Sequence, residues 1–146
     1  MPIDKKFTLI VIIGVLGLIG FLDTSYLAVE HYRGGIVPCT ISNGCETVLT
    51  SSYSVIAGIP IALVGSMYYA AILILITLYI DTKRQVLIKL LGLIAVSGFI
   101  VSAYLVYLQA FVIKAYCTYC LLSAGLSVFL LIFSIMVNKT NNTHVQ

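Results

Sequence analysis

The chain has 146 residues, of which 61% are hydrophobic and only 9% are charged. Soluble globular domains are about 45–50% apolar and about 25% charged, so this composition excludes an ordinary soluble domain and indicates an integral membrane protein. The formal net charge of +3 is small. Neither its size nor its placement suggests a nucleic acid partner; membrane lipid is the expected surrounding.

Four apolar segments are long enough to cross a bilayer, which takes about 20 residues in a helix. They run over residues 7–29, 59–80, 86–108 and 116–137. Their apolar runs are continuous, whereas the strands of a membrane β-barrel alternate lipid-facing and lumen-facing residues. The sequence therefore predicts an all-α integral membrane protein. We expect one domain over residues 1–146, a bundle of four transmembrane helices with an outer loop over residues 31–58 between the first two.

Basic residues lie mainly on one side of these predicted helices. Only Arg33 and Lys114 fall on the other side. By the positive-inside rule, both termini are expected in the cytoplasm, and the outer loop and the short turn from Gln109 to Ala115 are expected outside. The basic residues on the cytoplasmic side are Lys5, Lys6, Lys83, Arg84, Lys89 and Lys139.

The outer loop carries three local signals. Asn43-Gly44 predicts a tight turn, and residues 46–49 predict the start of a short helix. Gly58-Ile59-Pro60 is expected to open the second spanning helix, because a proline in the first turn removes no hydrogen bond that the helix would otherwise make.

One carboxylate, Asp23, lies inside a predicted spanning segment, near its outer end. A charge in that position is costly, so it needs a reason. Two interpretations stay open. Asp23 reaches the headgroup region or a serine or tyrosine partner, or it serves as a proton relay or as a partner for a redox intermediate.

A short internal similarity links the first and third predicted helices. Gly20-Phe21 and Tyr26-Leu27 are matched, 78 positions later, by Gly98-Phe99 and Tyr104-Leu105. Both helices are expected to run outward, so the similarity is either a parallel repeat or a chance match.

The four cysteines form two pairs on the outer side of the membrane, where disulfides persist. Cys39 and Cys45 lie in the outer loop, whereas Cys117 and Cys120 form a C-x-x-C motif at the start of the last helix. The positive end of the helix dipole favours the Cys117 thiolate, and Lys114 is expected to add to this effect. Since thiolates attack disulfides through mixed disulfides, two pairs on one face predict a relay from a soluble partner through the loop to the C-x-x-C.

The electrons of such a relay need a final acceptor. Leu121 rather than histidine follows the C-x-x-C, so haem attachment is not indicated. A lipid-soluble quinone held among the helices is the simplest choice. Two other interpretations of the cysteines remain: static disulfides in a non-enzymatic membrane protein, and a zinc site, which the loop spacing disfavours. No metal is expected.

The residues around these cysteines resemble the vitamin K epoxide reductase family, in particular its microbial members. The resemblance covers nearly the whole chain and rests on four stretches, which are residues 25–27 (SYL), 45–53 (CETVLTSSY), 58–63 (GIPIAL) and 117–124 (CTYCLLSA). It implies a four-helix bundle around a quinone site, with the loop pair shuttling electrons to the C-x-x-C pair.

The resemblance also implies a role for each site residue. Cys39 would meet the partner, Cys45 would form the transient bond with Cys117, and Cys120 would face the quinone. Ser51 matches a serine or threonine that the family carries near its active site, and is the expected quinone contact. The quinone itself would be of the ubiquinone, menaquinone or vitamin K type.

The sequence departs from the animal members of the family, which carry a tyrosine where this chain has Ala124. This favours quinone reduction over epoxide reduction, although a vitamin K quinone or epoxide reductase stays an alternative. An unrelated Dsb-type oxidase is disfavoured, because that family has its C-x-x-C in the first outer loop. We expect a disulfide-forming thiol–quinone oxidoreductase in a microbial cell membrane, served by a separate thioredoxin-like protein outside.

Overall fold

The computed structural model describes the backbone of residues 2–39 and 44–142, and the side chains of residues 5–39 and 44–140. Within these residues, four helices are long and apolar enough to cross a membrane. The predicted class, an all-α membrane protein with four spanning helices, is therefore confirmed. The α-helices are α1 (Pro2–Arg33), α2 (Cys45–Leu49), α3 (Ile61–Thr82), α4 (Gln85–Tyr107) and α5 (Thr118–Asn142).

The four long helices pack as a ring. Both α1 and α4 pack against α3 and α5, so α1 and α4 stand diagonally opposite each other. Apolar side chains of all four helices fill the centre, among them Ile13, Ile72, Ile88 and Leu130. Continuous apolar segments thus form helices whose inward faces make a common core.

Small residues let neighbouring helices approach closely. A Cβ atom added at Gly65 would lie 3.0 Å from the Thr24 side chain, and the Ser25 and Ser66 hydroxyls are 2.9 Å apart across the same α1–α3 interface. Interhelical contacts of this kind stabilise helix pairs in membranes, where burial of apolar surface gives no driving force.

The second spanning helix begins later than predicted, because Ile59 and Pro60 form a strand. This strand, β2 (Ile59–Pro60), pairs antiparallel with β1 (Val55–Ile56). Ala57 and Gly58 make the turn with positive φ angles of 51° and 81°. Pro60 has an extended ψ of 136° and is the N-cap of α3. Gly58-Ile59-Pro60 therefore leads directly into the helix as expected, but Pro60 does not lie in its first turn.

The predicted short turn from Gln109 to Ala115 was also wrong. The chain continues from α4 into a π-helical turn (Leu108–Ile113), which ends at Lys114 with a left-handed φ of 55°. Single π-helical turns within helices are frequent at functional sites.

The last helix runs from Thr118 to Asn142 and so extends past the predicted end at residue 137. Asn138 continues the packing against α4, because its amide donates a hydrogen bond to the Ile88 carbonyl at 3.5 Å. Gly92 leaves the room for this contact, since a Cβ atom there would lie 2.7 Å from the Asn138 amide nitrogen.

The bundle has two distinct ends. At one end, Lys6 of α1 and Lys83 after α3 both lie over the Tyr79 ring, at 5.1 and 5.9 Å from its centroid. We call the opposite end the cysteine end; it comprises the end of α1, α2, the β1–β2 hairpin, the π-helical turn and the start of α5. Asn43 of the predicted turn lies outside the described residues, and Gly44 caps α2 in a right-handed conformation.

Candidate redox site

The four cysteines meet at the cysteine end. Cys39 and Cys45 form a disulfide with their Cα atoms 5.8 Å apart, while Cys117 and Cys120 are free thiols. Cys45 is 1% exposed and Cys117 0% exposed, and the two lie in one buried cluster with Val48. Cys39 and Cys120 pack on the outside of this cluster. The fold therefore brings one cysteine of each pair together in a space closed to solvent.

The loop approaches the C-x-x-C closely because residue 44 is a glycine. A Cβ atom at Gly44 would lie 2.6 Å from the carbonyl oxygen of Tyr116 and 2.8 Å from its amide nitrogen. The backbone before Cys45 is thus pressed against the backbone before Cys117. Glycine is used where two backbone segments must come this near.

Side chains of the C-x-x-C motif hold the other end of the loop. The Tyr119 hydroxyl donates a hydrogen bond to the Pro38 carbonyl at 3.3 Å. The Thr118 hydroxyl oxygen lies 3.9 Å from the Cys39 sulfur. The two residues between Cys117 and Cys120 therefore position Cys39 as well.

Gln109 fixes the backbone of Cys117. Its side-chain carbonyl accepts a hydrogen bond from the Cys117 N–H at 3.0 Å, and Gln109 is only 3% exposed. The π-helical turn after α4 carries this side chain inward. The sequence analysis placed Gln109 in an exposed turn and so missed its hydrogen bond to Cys117. The one feature of the sequence that could have indicated this bond is a single side-chain amide within an apolar run.

The pKa of the Cys117 thiol is lowered from its ordinary value to about 7. The hydrogen bond with the Cys120 side chain is the largest cause, and the backbone N–H groups at the start of α5 add to it, that of Cys120 lying 3.4 Å from the Cys117 sulfur. Burial and the negative charge of Asp23 oppose this lowering. Lys114 is exposed and is not among these causes, so its expected contribution to the thiolate is not seen.

A cavity of about 330 Å³ opens beside the second cysteine of the motif. Cys120 lines it, and so does Val48, which also belongs to the buried cysteine cluster. Most of the wall is apolar side chain from α1, α3, α4 and α5. Such a cavity, largely apolar with a few polar groups, is typical of a small-molecule site.

Two further residues singled out in the sequence lie near the thiols. Ser51 lines the cavity and donates its hydroxyl hydrogen to the Val48 carbonyl at 2.7 Å. Asp23 acts electrostatically on Cys117, and its Oδ2 atom is buried without a hydrogen-bond partner among the described residues. The serine or tyrosine partner considered for Asp23 is therefore not seen at this oxygen. In the part of the chain that the structure describes, no three His, Cys, Asp or Glu side chains are grouped as metal ligands.

Comparisons with known proteins show which family the chain resembles. Residues 11–135 match the model of the Vitamin K epoxide reductase family. A curated relative, Thiol-disulfide oxidoreductase LTO1 of Arabidopsis thaliana, is 33% identical over 122 residues, an alignment that covers 78% of this chain and 32% of the relative. The chain thus spans about a third of that relative's length.

Proposed function

The chain belongs to the vitamin K epoxide reductase family, and on this premise we propose that it is a membrane thiol–quinone oxidoreductase. It oxidises a thioredoxin-like dithiol protein, passes the electrons from Cys39–Cys45 to Cys117–Cys120, and reduces a quinone in the cavity beside Cys120. One observation carries the proposal: Cys45 and Cys117 share a buried cluster, while Cys120 alone of the four lines the cavity.

The first transfer takes place at the loop pair. Cys39 is half-buried whereas Cys45 is buried, so an incoming thiolate of the partner reaches the Cys39 sulfur. The Cys39–Cys45 bond breaks, Cys45 leaves as the thiolate, and a partner–Cys39 bond forms. The second thiol of the partner then attacks this mixed disulfide. The partner leaves oxidised, and the loop pair holds two electrons as two thiols.

The second transfer takes place inside the buried cluster. Cys45 attacks Cys117 of the oxidised motif, the Cys117–Cys120 bond breaks, and Cys120 leaves as the thiolate. Cys39 then attacks Cys45, which restores the loop disulfide and releases Cys117. The low pKa of Cys117 favours this last step, since thiols of lower pKa leave faster. A loop disulfide beside two free thiols, as the structure shows, is the product of this exchange.

The final acceptor takes the two electrons and two protons of the Cys117–Cys120 dithiol. The cavity fits a quinone, because a flat, largely apolar ring matches its apolar wall and its carbonyl oxygens match the few polar groups. A quinone supplies a lipid-soluble two-electron, two-proton sink. Cys120 lines this cavity. Val48 of α2 lines it as well and also packs in the buried cluster with Cys45 and Cys117, so Val48 lies between the cavity and these two cysteines.

The orientation in the membrane is part of the proposal. The basic residues expected in the cytoplasm include Lys6 and Lys83, which meet at the end of the bundle opposite the cysteines. By the positive-inside rule, the cysteine end then faces away from the cytoplasm. This is the side of the membrane on which substrate proteins acquire disulfides.

Quinone reduction by the purified protein in detergent tests the proposal. The electron donor is either a reduced thioredoxin-like protein or dithiothreitol, and each cysteine is replaced by alanine in turn. We expect Cys117→Ala and Cys120→Ala to stop turnover with both donors. Cys39→Ala and Cys45→Ala should stop turnover with the protein donor only.

The same assay separates the alternatives. Reduction of vitamin K epoxide at a rate comparable to that of the quinone would favour an epoxide reductase. Absence of quinone reduction, with all four replacements merely lowering stability, would mean that the cysteines are structural and would contradict the proposal.

A further inference from the structure

The tyrosine pair of α3 points to a second polar contact in the cavity. Tyr68 and Tyr69 are adjacent, and their rings meet edge to face with centroids 5.0 Å apart. Both residues line the cavity. Their hydroxyl groups nevertheless differ in the partners that the fold gives them.

The Tyr69 hydroxyl is used by the fold. It donates to the Ser123 carbonyl at 2.9 Å and lies 3.0 Å from the Ser123 hydroxyl, so it ties α3 to α5. The Tyr68 hydroxyl is also buried, but it has no hydrogen-bond partner among the described residues. A buried hydroxyl without a partner has given up its hydrogen bonds to water without replacing them, so its retention calls for an explanation.

Four other hydroxyl groups around the cavity do not share this property. Thr24, Ser51, Ser54 and Ser97 all line it, and each donates its hydrogen to a backbone carbonyl of its own segment. Tyr68 therefore offers a hydrogen that the protein leaves unused.

A glycine on the facing helix creates the position of Tyr68. A Cβ atom added at Gly98 of α4 would overlap the Tyr68 hydroxyl and the adjoining ring carbons. Gly20 of α1 does the same for the Tyr69 ring. These are the two glycines that the internal similarity of the sequence relates. Each tyrosine ring thus packs against a glycine of a neighbouring helix. Of the two hydroxyl groups, only that of Tyr69 has a hydrogen-bond partner in the described part of the chain.

The two polar contacts come from different helices. Cys120 of α5 and Tyr68 of α3 both line the cavity. A ring with carbonyl groups on opposite sides can therefore meet the thiol from one helix and the hydroxyl from the other.

We propose that the Tyr68 hydroxyl donates a hydrogen bond to one carbonyl oxygen of the quinone in this cavity. The inference rests on the proposed function, because it assumes a quinone as acceptor. Tyr68 binds and orients the ring; the two electrons and two protons of the reaction still come from Cys117 and Cys120. Gly98 is a positioning residue that leaves the space for this hydroxyl.

The infrared spectrum of bound quinone tests this directly and without turnover. Menadione is bound to the protein with all its cysteines oxidised, and its carbonyl stretching bands are recorded. In the unaltered protein, we expect one carbonyl band shifted to lower frequency by the hydrogen bond. Tyr68→Phe should abolish this shifted band. In the separate assay of quinone reduction, the same variant should raise the KM for menadione by about three- to tenfold, the effect of one neutral hydrogen bond. Stability should not fall, because no bond within the protein is lost.

Two more variants make the test specific. Gly98→Ala should abolish the same band by displacing the ring, with the tyrosine still present. Tyr104→Phe removes a hydroxyl from an exposed tyrosine of α4 and should leave the band and the KM unchanged.

The outcomes separate the two claims. A shifted band and an unchanged KM in Tyr68→Phe would overturn the role of Tyr68 while leaving the quinone site intact. If the unaltered protein does not bind menadione or longer-chain quinones, or binds them but does not reduce them, the proposed function is overturned, and this inference with it.

Discussion

A single methyl group at residue 44 should uncouple the two cysteine pairs. In Gly44→Ala, the new Cβ would lie 2.6 Å from the Tyr116 carbonyl oxygen, whereas ordinary contacts of this kind begin at 3.4 Å. The neighbour is backbone and cannot turn aside, so the loop must retreat by about 0.8 Å, the difference between these two distances. Gly44 has φ −95° and ψ −4°, a conformation that alanine adopts freely, so the effect is one of contact and not of backbone strain.

The retreat separates Cys45 from Cys117, and misplacement by about 1 Å can slow a positioned reaction by about 10²-fold. We therefore expect the rate of quinone reduction with the protein donor to fall about 10- to 100-fold. Reduction with dithiothreitol, which acts on the C-x-x-C without the loop, should change little. Gly125→Ala is the matched control, because a Cβ atom there meets nothing within 4 Å.

Two outcomes would refute this reasoning. A normal rate with the protein donor would mean that the contact between Gly44 and Tyr116 does not set the distance between the pairs. An equal loss with both donors would mean that the methyl group damages the C-x-x-C site itself.

Other predictions concern the groups around Cys117. Cys120→Ala removes the main cause of the low pKa, which should rise from about 7 toward about 8.5, so that the thiolate fraction at pH 7 falls from about one half to about 3%. Asp23→Asn removes an opposing negative charge, so the pKa of Cys117 should fall below 7 and its thiolate should persist to lower pH. Gln109→Met leaves the buried Cys117 N–H without its acceptor, which should lower the free energy of unfolding by about 1–3 kcal/mol.

The pKa predictions are measured by ultraviolet absorbance of the thiolate in a Cys39→Ser, Cys45→Ser background. Cys120→Ser is the control, since its hydroxyl still donates to Cys117 and should keep part of the lowering. An unchanged pKa in Cys120→Ala would mean that this hydrogen bond is not the cause. For Gln109, unfolding in mixed micelles is compared with Gln109→Glu, which keeps an acceptor; equal stability of Gln109→Met and the unaltered protein would count against the bond.

The spanning helices were predictable from sequence because each is a long apolar run, and lipid leaves the backbone few other options. The short helix α2 was also expected near residues 46–49. The hairpin at residues 55–60 was not, because its turn places Ala57 at a φ of 51°, which few alanines adopt. The π-helical turn was missed because an apolar run with one polar residue does not reveal whether Gln109 faces inward.

The four cysteines of the site were predictable from the sequence. Their spacing in two pairs, and the location of both pairs on one side of the membrane, indicate thiol–disulfide exchange. The contacts around the cysteines were not predictable. Gly44 makes room for Tyr116, and Gly98 makes room for Tyr68. Each pair is far apart in sequence, and the sequence around a glycine does not show which distant residue packs against it. The difference between Tyr68 and Tyr69 depends on which hydroxyl reaches Ser123, and this follows only from the packing of α3 against α5.

Trapping the bond between the two pairs tests the central claim most directly. In Cys39→Ala, Cys45 can attack Cys117, but the Cys39 thiol that completes the transfer is missing, and the mixed disulfide can only return through the Cys120 thiolate. Oxidation by quinone, acid quenching and mass spectrometry of peptides should therefore reveal a Cys45–Cys117 disulfide. The converse variant, Cys45→Ala, should show little Cys39–Cys117 bond, because Cys39 lies outside the buried cluster. Absence of the Cys45–Cys117 bond in Cys39→Ala under all redox conditions would contradict the relay.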